Sequence, residues 1–363
     1  MTLIERLLDL AVAVQQVPAP TGHESRRAGF VRSIFETDGL ADASLDEAGN
    51  ALARLPGSGG ARPLIVSAHL DTVFPSGTDL EAVRTPGRIA GPGIGDNSVG
   101  VAGLSALAWL LRERAVELPG DLWLAANVGE EGLGNLRGIK AIVERFGDRP
   151  VAYLVLEGMA LGQVYHRALG VRRYSIRMRT SGGHSWIDYG HPSAVHELTA
   201  LAARITALTI PSAPRTSLNV GRIAGGTSVN TIAAEAELEL DLRSERWDTL
   251  AALAAQVEQL AQAAGHEGVE VELSVIGERP AGELPAAHPL VQRALACLQE
   301  QGLPASLNIG STDANQPLSL GLPAVTVGLT TGAGAHTLHE YINTGPIPQG
   351  LEQLVNLVRQ AWD

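Results

Sequence analysis

The chain has 363 residues, of which 45% are hydrophobic, 18% charged and 4% aromatic, with a formal net charge of -12. That length suggests roughly two domains at about 150 residues each and buries a full core without disulfide staples. The acidic balance argues against a nucleic-acid partner, because phosphates need a basic stripe, while an anionic small substrate stays open through local charge in a cleft.

The first residues, MTLIERLLDLAVAVQQVPAP, place Glu5, Arg6 and Asp9 among apolar positions. They predict an amphipathic helix ended near Pro18 and not a signal peptide. No uninterrupted apolar run reaches about 18 residues, so the sequence predicts no membrane span, and a cytoplasmic location follows by default. Buried strands are expected at Leu64–His69, Leu122–Val128, Val151–Leu156 and Ala324–Gly328, with helices over Val99–Arg114, Gly138–Phe146 and Pro348–Trp362. This alternation implies an α/β domain with a mostly parallel sheet, helices on both faces and function at the carboxyl ends of the strands. The intervening stretch reads as strand Val171–Arg179, helix Ala194–Leu208, strands Leu218–Ile223 and Ala233–Arg243, helix Trp247–Ala264 and strand Val269–Ile276. That order is β-α-β-β-α-β, the ferredoxin-like α+β pattern. Residues 1–167 with 280–363 are therefore expected to form one domain, and 168–279 a second inserted into it. The single cysteine, Cys297, lies in the apolar stripe of a helix over Pro289–Gln301 and reads as a core residue.

Chemistry-bearing residues gather at the strand ends. The first strand closes in His69-Leu-Asp71, and strand period places His69 and Asp71 on one face. A lone strand-end histidine is commonly only hydrogen-bonded, whereas a ligand histidine usually gives its second ring N–H to a carboxylate, which fixes its tautomer. Gly91-Pro-Gly-Ile-Gly95-Asp96-Asn97-Ser98 is a glycine-rich turn in which Asp96 serves either as a helix cap or as a ligand. The turn has no lysine and lacks phosphate-loop spacing. The next strand runs into Gly129-Glu130-Glu131-Gly132. Such a pair is either solvated or held by a cation, one residue binding metal and the other acting as a base. Glu157 follows the third strand, and His336 lies in the Gly332–Glu340 loop. A convergent oxygen and nitrogen donor set suits zinc, with manganese or cobalt as alternatives.

The order HLDTV, GDN, GEEG, LEG and AHTLHE resembles the co-catalytic zinc exopeptidases: glutamate carboxypeptidase, aminoacylase, acetylornithine deacetylase and succinyl-diaminopimelate desuccinylase. The resemblance covers nearly the whole chain. It implies two metal ions, one held by His69, Asp96 and Glu157, the other by Asp96, Glu131 and His336. It implies Glu130 as the general base, Asp71 orienting His69, and attack on an amide carbon by a hydroxide between the metals. Ser98 departs from the family pattern within the turn, away from any ligand. In the inserted domain, Ser181-Gly-Gly-His184-Ser-Trp resembles the family's lid histidine, which implies an oxyanion-stabilising His184 donated across a homodimer formed through the lid domains.

The segment around Asn230 and the loop with Ser311 and Asp313 resemble substrate-binding segments. Arg243 lies on the polar face of its strand, either as part of a solvated face or, as the D-x-R resemblance implies, as a clamp for the substrate carboxylate. The implied activity is hydrolysis of an amide bond beside a free carboxylate of a small peptide. Removal of an N-acyl group from an amino acid is the alternative, and an inert peptide-binding homologue the further one.

Overall fold

The computed structural model describes all of residues 1–363. It divides into two compact units, Met1–Ala168 with Glu283–Asp363, and Leu169–Gly282. The borders fall at 168/169 and 282/283, against the expected 167/168 and 279/280.

In the first unit the main sheet runs, in spatial order, through Ala41–Leu45, Ala51–Leu55, Gly120–Asn127, Ala61–His69, Tyr153–Leu156, Ala324–Val327 and Gln163–Ala168. Ser306–Gly310 pairs in parallel with the last of these. Its central strands are parallel: Ala61–His69 pairs with both Gly120–Asn127 and Tyr153–Leu156, and Tyr153–Leu156 with Ala324–Val327. Parallel pairing sends all four carboxyl ends to the same edge, in a register that sets His69 beside Asn127 and Leu156 beside Val327. The strands are buried on both faces, which explains their continuous apolar runs. Leu64, Ile65, Val66, Leu122, Leu124, Leu154, Val155 and Val325 are all within 1% of complete burial. The expected helices are present at Val99–Glu113, Arg137–Phe146 and Ile347–Gln360.

The membrane expectation needs one amendment. Counted together with the kinked turn before it, helix Val99–Glu113 gives a stretch, Ile94–Glu113, long and apolar enough to cross a bilayer, but 89% of its most apolar window is buried inside the fold. Cys297 is fully buried on helix Pro289–Glu300, and burial pushes its thiol up to about 12, so it packs as a small apolar group.

The second unit has the expected β-α-β-β-α-β order. Its antiparallel sheet runs Thr216–Gly225, Glu235–Ser244, Gly170–Arg179, Glu270–Arg279. Helices Ala194–Thr206 and Trp247–Gln262 cover one face, burying Tyr174, Ile176, Met178, Leu238, Leu240 and Leu242. The alternate positions carry charge: Arg222 pairs with Glu239, Arg173 with Asp241, and Arg179 with Glu272 across neighbouring strands. Alternation of leucine with acid in Glu235–Ser244 thus reflects one packed and one polar face.

Candidate metal centre

Five side chains converge at the carboxyl edge of the parallel strands. His69 Nε2 lies 3.0 Å from Asp96 Oδ1 and 3.7 Å from Glu157 Oε2. The other oxygen of Asp96, Oδ2, lies 3.2 Å from His336 Nε2, which is 3.0 Å from Glu131 Oε1. Asp96 therefore shows one oxygen to each histidine, with Glu157 on one side and Glu131 on the other. Ligand atoms of His69, Asp96 and Glu131 all fall within 4.8 Å of one another. Side-chain exposure rises from 1% at His69 through 18% at Asp96 to 54% at His336, so the cluster opens to solvent on the His336 side.

The local backbone explains this placement. His69 ends its strand, and its Nδ1 lies 3.0 Å from the backbone carbonyl of Asp71. An Nδ1–H donated there leaves the Nε2 lone pair facing the carboxylates. The resemblance assigned this orienting task to the Asp71 carboxylate. That carboxylate is 3.7 Å from His69 Nδ1, beyond hydrogen-bond range, so the carbonyl performs it. The Asp71 carboxylate instead accepts from the Thr21 hydroxyl and from the backbone N–H groups of Glu130 and Glu131.

Asp96 sits in the Gly91–Ser98 turn, where the Asp96–Asn97 peptide is cis. The neighbouring Asn97 staples that turn to the next strand end. Its amide donates to the Leu156 carbonyl at 2.7 Å and accepts from Gly158 N–H at 2.9 Å, bracketing Glu157. Gly158 has to be glycine here, because a Cβ would stand 2.2 Å from the Gly95 carbonyl oxygen. His336 adopts φ +65°, a left-handed conformation that costs a non-glycine residue energy and recurs at functional sites.

Charge and burial together perturb the titrations. Burial opposes a charge on His69, but the surrounding carboxylates of Asp71, Asp96 and Glu157 raise its pKa well above the ordinary value. Hydrogen bonds to Asp96 and Glu131 raise His336 to about 10. Burial raises Glu157, helped by the charges of Asp96 and Glu131. For Asp96 burial is outweighed by the two histidines, which hold it well below the usual carboxylate range. Three carboxylates crowded together with two imidazoles favour bound positive charge. This oxygen and nitrogen donor set fits a pair of divalent ions sharing Asp96.

Sequence reasoning missed Glu340 and Glu24. Glu340 is fully buried, and its carboxylate accepts from the N–H groups of Gly93, Gly95 and Asp96 at 3.0, 2.7 and 2.8 Å. Burial pushes it up to about 7 despite those donors. Glu24, 2% exposed, accepts from Gly129 N–H and from Arg137. Glu340 is the acid that closes the AHTLHE motif, which gave it no role, and Glu24 carried no signal.

The substrate-loop expectation also changes. Asp313 is completely buried and accepts from the Asn127 amide at 2.7 Å, with burial pushing it up to about 7. A side chain with no exposed surface does not touch substrate, so Asp313 is corrected to a support beside the strand that bears Asn127. Ser311 remains half-buried.

Within the second unit, His184 and Asn230 come together. Gly183–His184 pairs with Thr231–Ile232, and Ser185 N–H donates to the Asn230 carbonyl. His184 Nδ1 accepts from the N–H groups of Trp186 and Ile187 at 3.2 and 3.4 Å. In the neutral ring this puts the proton on Nε2, ready to donate. Arg243 is held by Asp241, its Nε donating at 2.7 Å, and stays 42% exposed.

Residues 65–360 match the peptidase family M20/M25/M40, and the chain belongs to that family. It is thus a hydrolase of amide bonds with a metal-binding cluster. A putative succinyl-diaminopimelate desuccinylase of Mycobacterium tuberculosis is 25% identical, over 96% of each chain. Among solved structures, a tripeptidase from Staphylococcus aureus superposes with a TM-score of 0.83 at 21% identity, covering 99% of this chain and 98% of that one. A dinuclear metal-binding peptidase of Bacillus subtilis does so at 0.69 and 15% identity, covering 98% and 97%.

Proposed function

We propose that this chain is an exopeptidase that cleaves the amide bond beside a free carboxylate in a small peptide, using two divalent ions, with zinc preferred over cobalt or manganese. The observation that carries this reading is Asp96, whose two oxygens face His69 and His336 separately. His69, Asp96 and Glu157 would hold one ion, and Asp96, Glu131 and His336 the other. Such ions, when bound, polarise a carbonyl oxygen and make water acidic enough to react near neutral pH.

The chain's own residues supply the remaining work. Glu130 is buried to 5% exposure, adjoins Glu131, and has its backbone fixed by Asp71. It takes the proton from the attacking water as the new C–O bond forms, then returns it to the amine nitrogen as the C–N bond breaks. The His184 Nε2–H donates to the oxyanion of the tetrahedral intermediate. Arg243 and Asn230 bind the substrate, the guanidinium through its carboxylate. The family resemblance extends this proposal to a homodimer in which His184 comes from the partner's lid domain. Sedimentation reads that directly, and a fully active monomer refutes it.

Removal of an N-acyl group from an amino acid involves the same bond and is favoured as a second reading by the likeness to the putative desuccinylase. A panel of dipeptides, tripeptides and N-acyl amino acids, assayed with added zinc, cobalt or manganese, separates the two. We expect hydrolysis only of compounds with a free carboxylate beside the cleaved bond. Equal rates on carboxyl-amidated peptides contradict the proposal, and no hydrolysis of any member returns the chain to the inert peptide-binding alternative.

A further inference from the structure

The loop that presents Glu130 and Glu131 has three successive backbone N–H groups, and each is held by a buried carboxylate. Glu130 N–H and Glu131 N–H donate to Asp71 Oδ1 and Oδ2 at 2.9 and 2.8 Å, and Gly129 N–H donates to Glu24 Oε1 at 3.1 Å. Glu24 also grips the far end of the loop. Arg137, the first residue of helix Arg137–Phe146, reaches it with both terminal nitrogens, at 3.1 Å to Oε1 and 2.6 Å to Oε2. Between these anchors the loop is tied to itself, with Gly134 N–H donating to the Glu131 carbonyl and Arg137 N–H to the Gly134 carbonyl. Gly129 has φ +70°, and a Cβ there would lie 2.5 Å from an Arg137 nitrogen, so a side chain at this position would strain the backbone and press on the clamp.

The same N-terminal turn that carries Glu24 also supports the other carboxylate. Thr21 donates its hydroxyl to Asp71 Oδ2 at 2.9 Å, and its N–H to the Thr72 carbonyl. A cavity of about 550 Å³ lined by His23, Glu24, Gly49, Val128 and Arg137 adjoins this brace. Charge-assisted hydrogen bonds, more than dense packing, therefore hold the loop on that side.

From this geometry we propose that Glu24, braced by Arg137, is a positioning residue that fixes Glu130 through the Gly129 amide. The proposal rests on the hydrolytic reading for its kinetic consequence, though not for its structural one. Glu24 never meets the substrate. It acts by setting where the Glu130 carboxylate stands, and small misplacements of a catalytic group cost about 100-fold in rate.

The test compares Glu24→Ala with the milder Glu24→Gln, whose amide oxygen still accepts from Gly129 while its NH₂ opposes the guanidinium. Hydrogen exchange of peptides covering residues 128–137 is the first readout and needs no substrate. Loss of one such bond should speed exchange there by about tenfold in Glu24→Ala. The second readout is kinetic, in the wild-type and in the Glu130→Gln background. Glu24→Ala should lower kcat by roughly 10- to 100-fold with KM and metal content nearly unchanged. In the Glu130→Gln background the same change should cost less than about threefold, because residues acting through one group are not additive. If Glu24→Ala does not fold, Glu24→Gln carries both readouts, with a smaller loss.

Unchanged exchange in this loop, or an equal fold-loss in both backgrounds, overturns the proposal. If the wild-type chain hydrolyses nothing, the functional reading fails while the exchange measurement still decides the brace.

Discussion

Glu130→Gln should lower turnover by about two to four orders of magnitude, in the range of general-base effects, while both metal ions remain bound. The substitution keeps the shape and size of the side chain and removes only its basicity. The structure separates this residue from its neighbour. Glu131 presents Oε1 3.0 Å from His336 Nε2, inside the cluster around Asp96, so Glu131→Gln should weaken the metal site itself. Both residues have their backbone N–H on Asp71, so the two variants, stripped of metal, should unfold at similar temperatures. Metal analysis beside steady-state kinetics checks this. If Glu130→Gln sheds its metals and Glu131→Gln retains them, the two roles are exchanged.

Glu340→Ala is expected to damage the site from beneath. The wild-type carboxylate is fully buried and collects the N–H groups of Gly93, Gly95 and Asp96, which define the turn that aims Asp96. Removing it strands two buried donors and a third that is partly buried, and a buried one costs about 1–3 kcal/mol when left without a partner. Stability to urea should fall by about 3 kcal/mol or more, and metal affinity should fall because Asp96 belongs to both halves of the cluster. Glu340→Gln keeps one accepting oxygen and should lie between the two. Urea unfolding with parallel zinc titration measures both effects. Wild-type metal affinity in Glu340→Ala would show that the turn holds Asp96 without this carboxylate.

The parts of the fold that were legible from sequence are those in which burial leaves a local pattern. The strand ending at His69 and the one ending at Asn127 are sheathed on both faces, so they read as unbroken apolar runs whose ends mark the site. The Glu235–Ser244 strand alternates because only one face is packed. Strand Ala41–Leu45 escaped because it is short, half-exposed and interrupted by Asp42 and Ser44. Helix Ser25–Thr37 escaped because four of its thirteen residues, Arg26, Arg27, Arg32 and Glu36, carry charge and obscure the buried Ala28, Val31 and Phe35.

The supports of the site were hidden for a different reason. Glu340 meets Gly93 across 247 positions, and Glu24 meets Gly129 across 105, and no periodicity encodes contacts at that range. Asp71 shows how fine the limit is. The sequence places it correctly beside His69, but only the folded structure separates its carbonyl, which meets His69, from its carboxylate, which holds the Glu130–Glu131 backbone. Asp313, in a loop that resembles a substrate segment, is turned inward onto Asn127, a direction that sequence does not carry.

The proposed function requires that the cluster around Asp96 hold two metal ions on which amide hydrolysis depends. The most direct measurement strips the wild-type chain with a chelator, then restores zinc stepwise while metal content and hydrolysis of one active peptide are followed together. The expected result is no activity in the stripped chain, recovery with zinc, and full activity as occupancy approaches two ions per chain. Full activity after exhaustive metal removal, or complete recovery at one ion per chain with no second binding event, would contradict it.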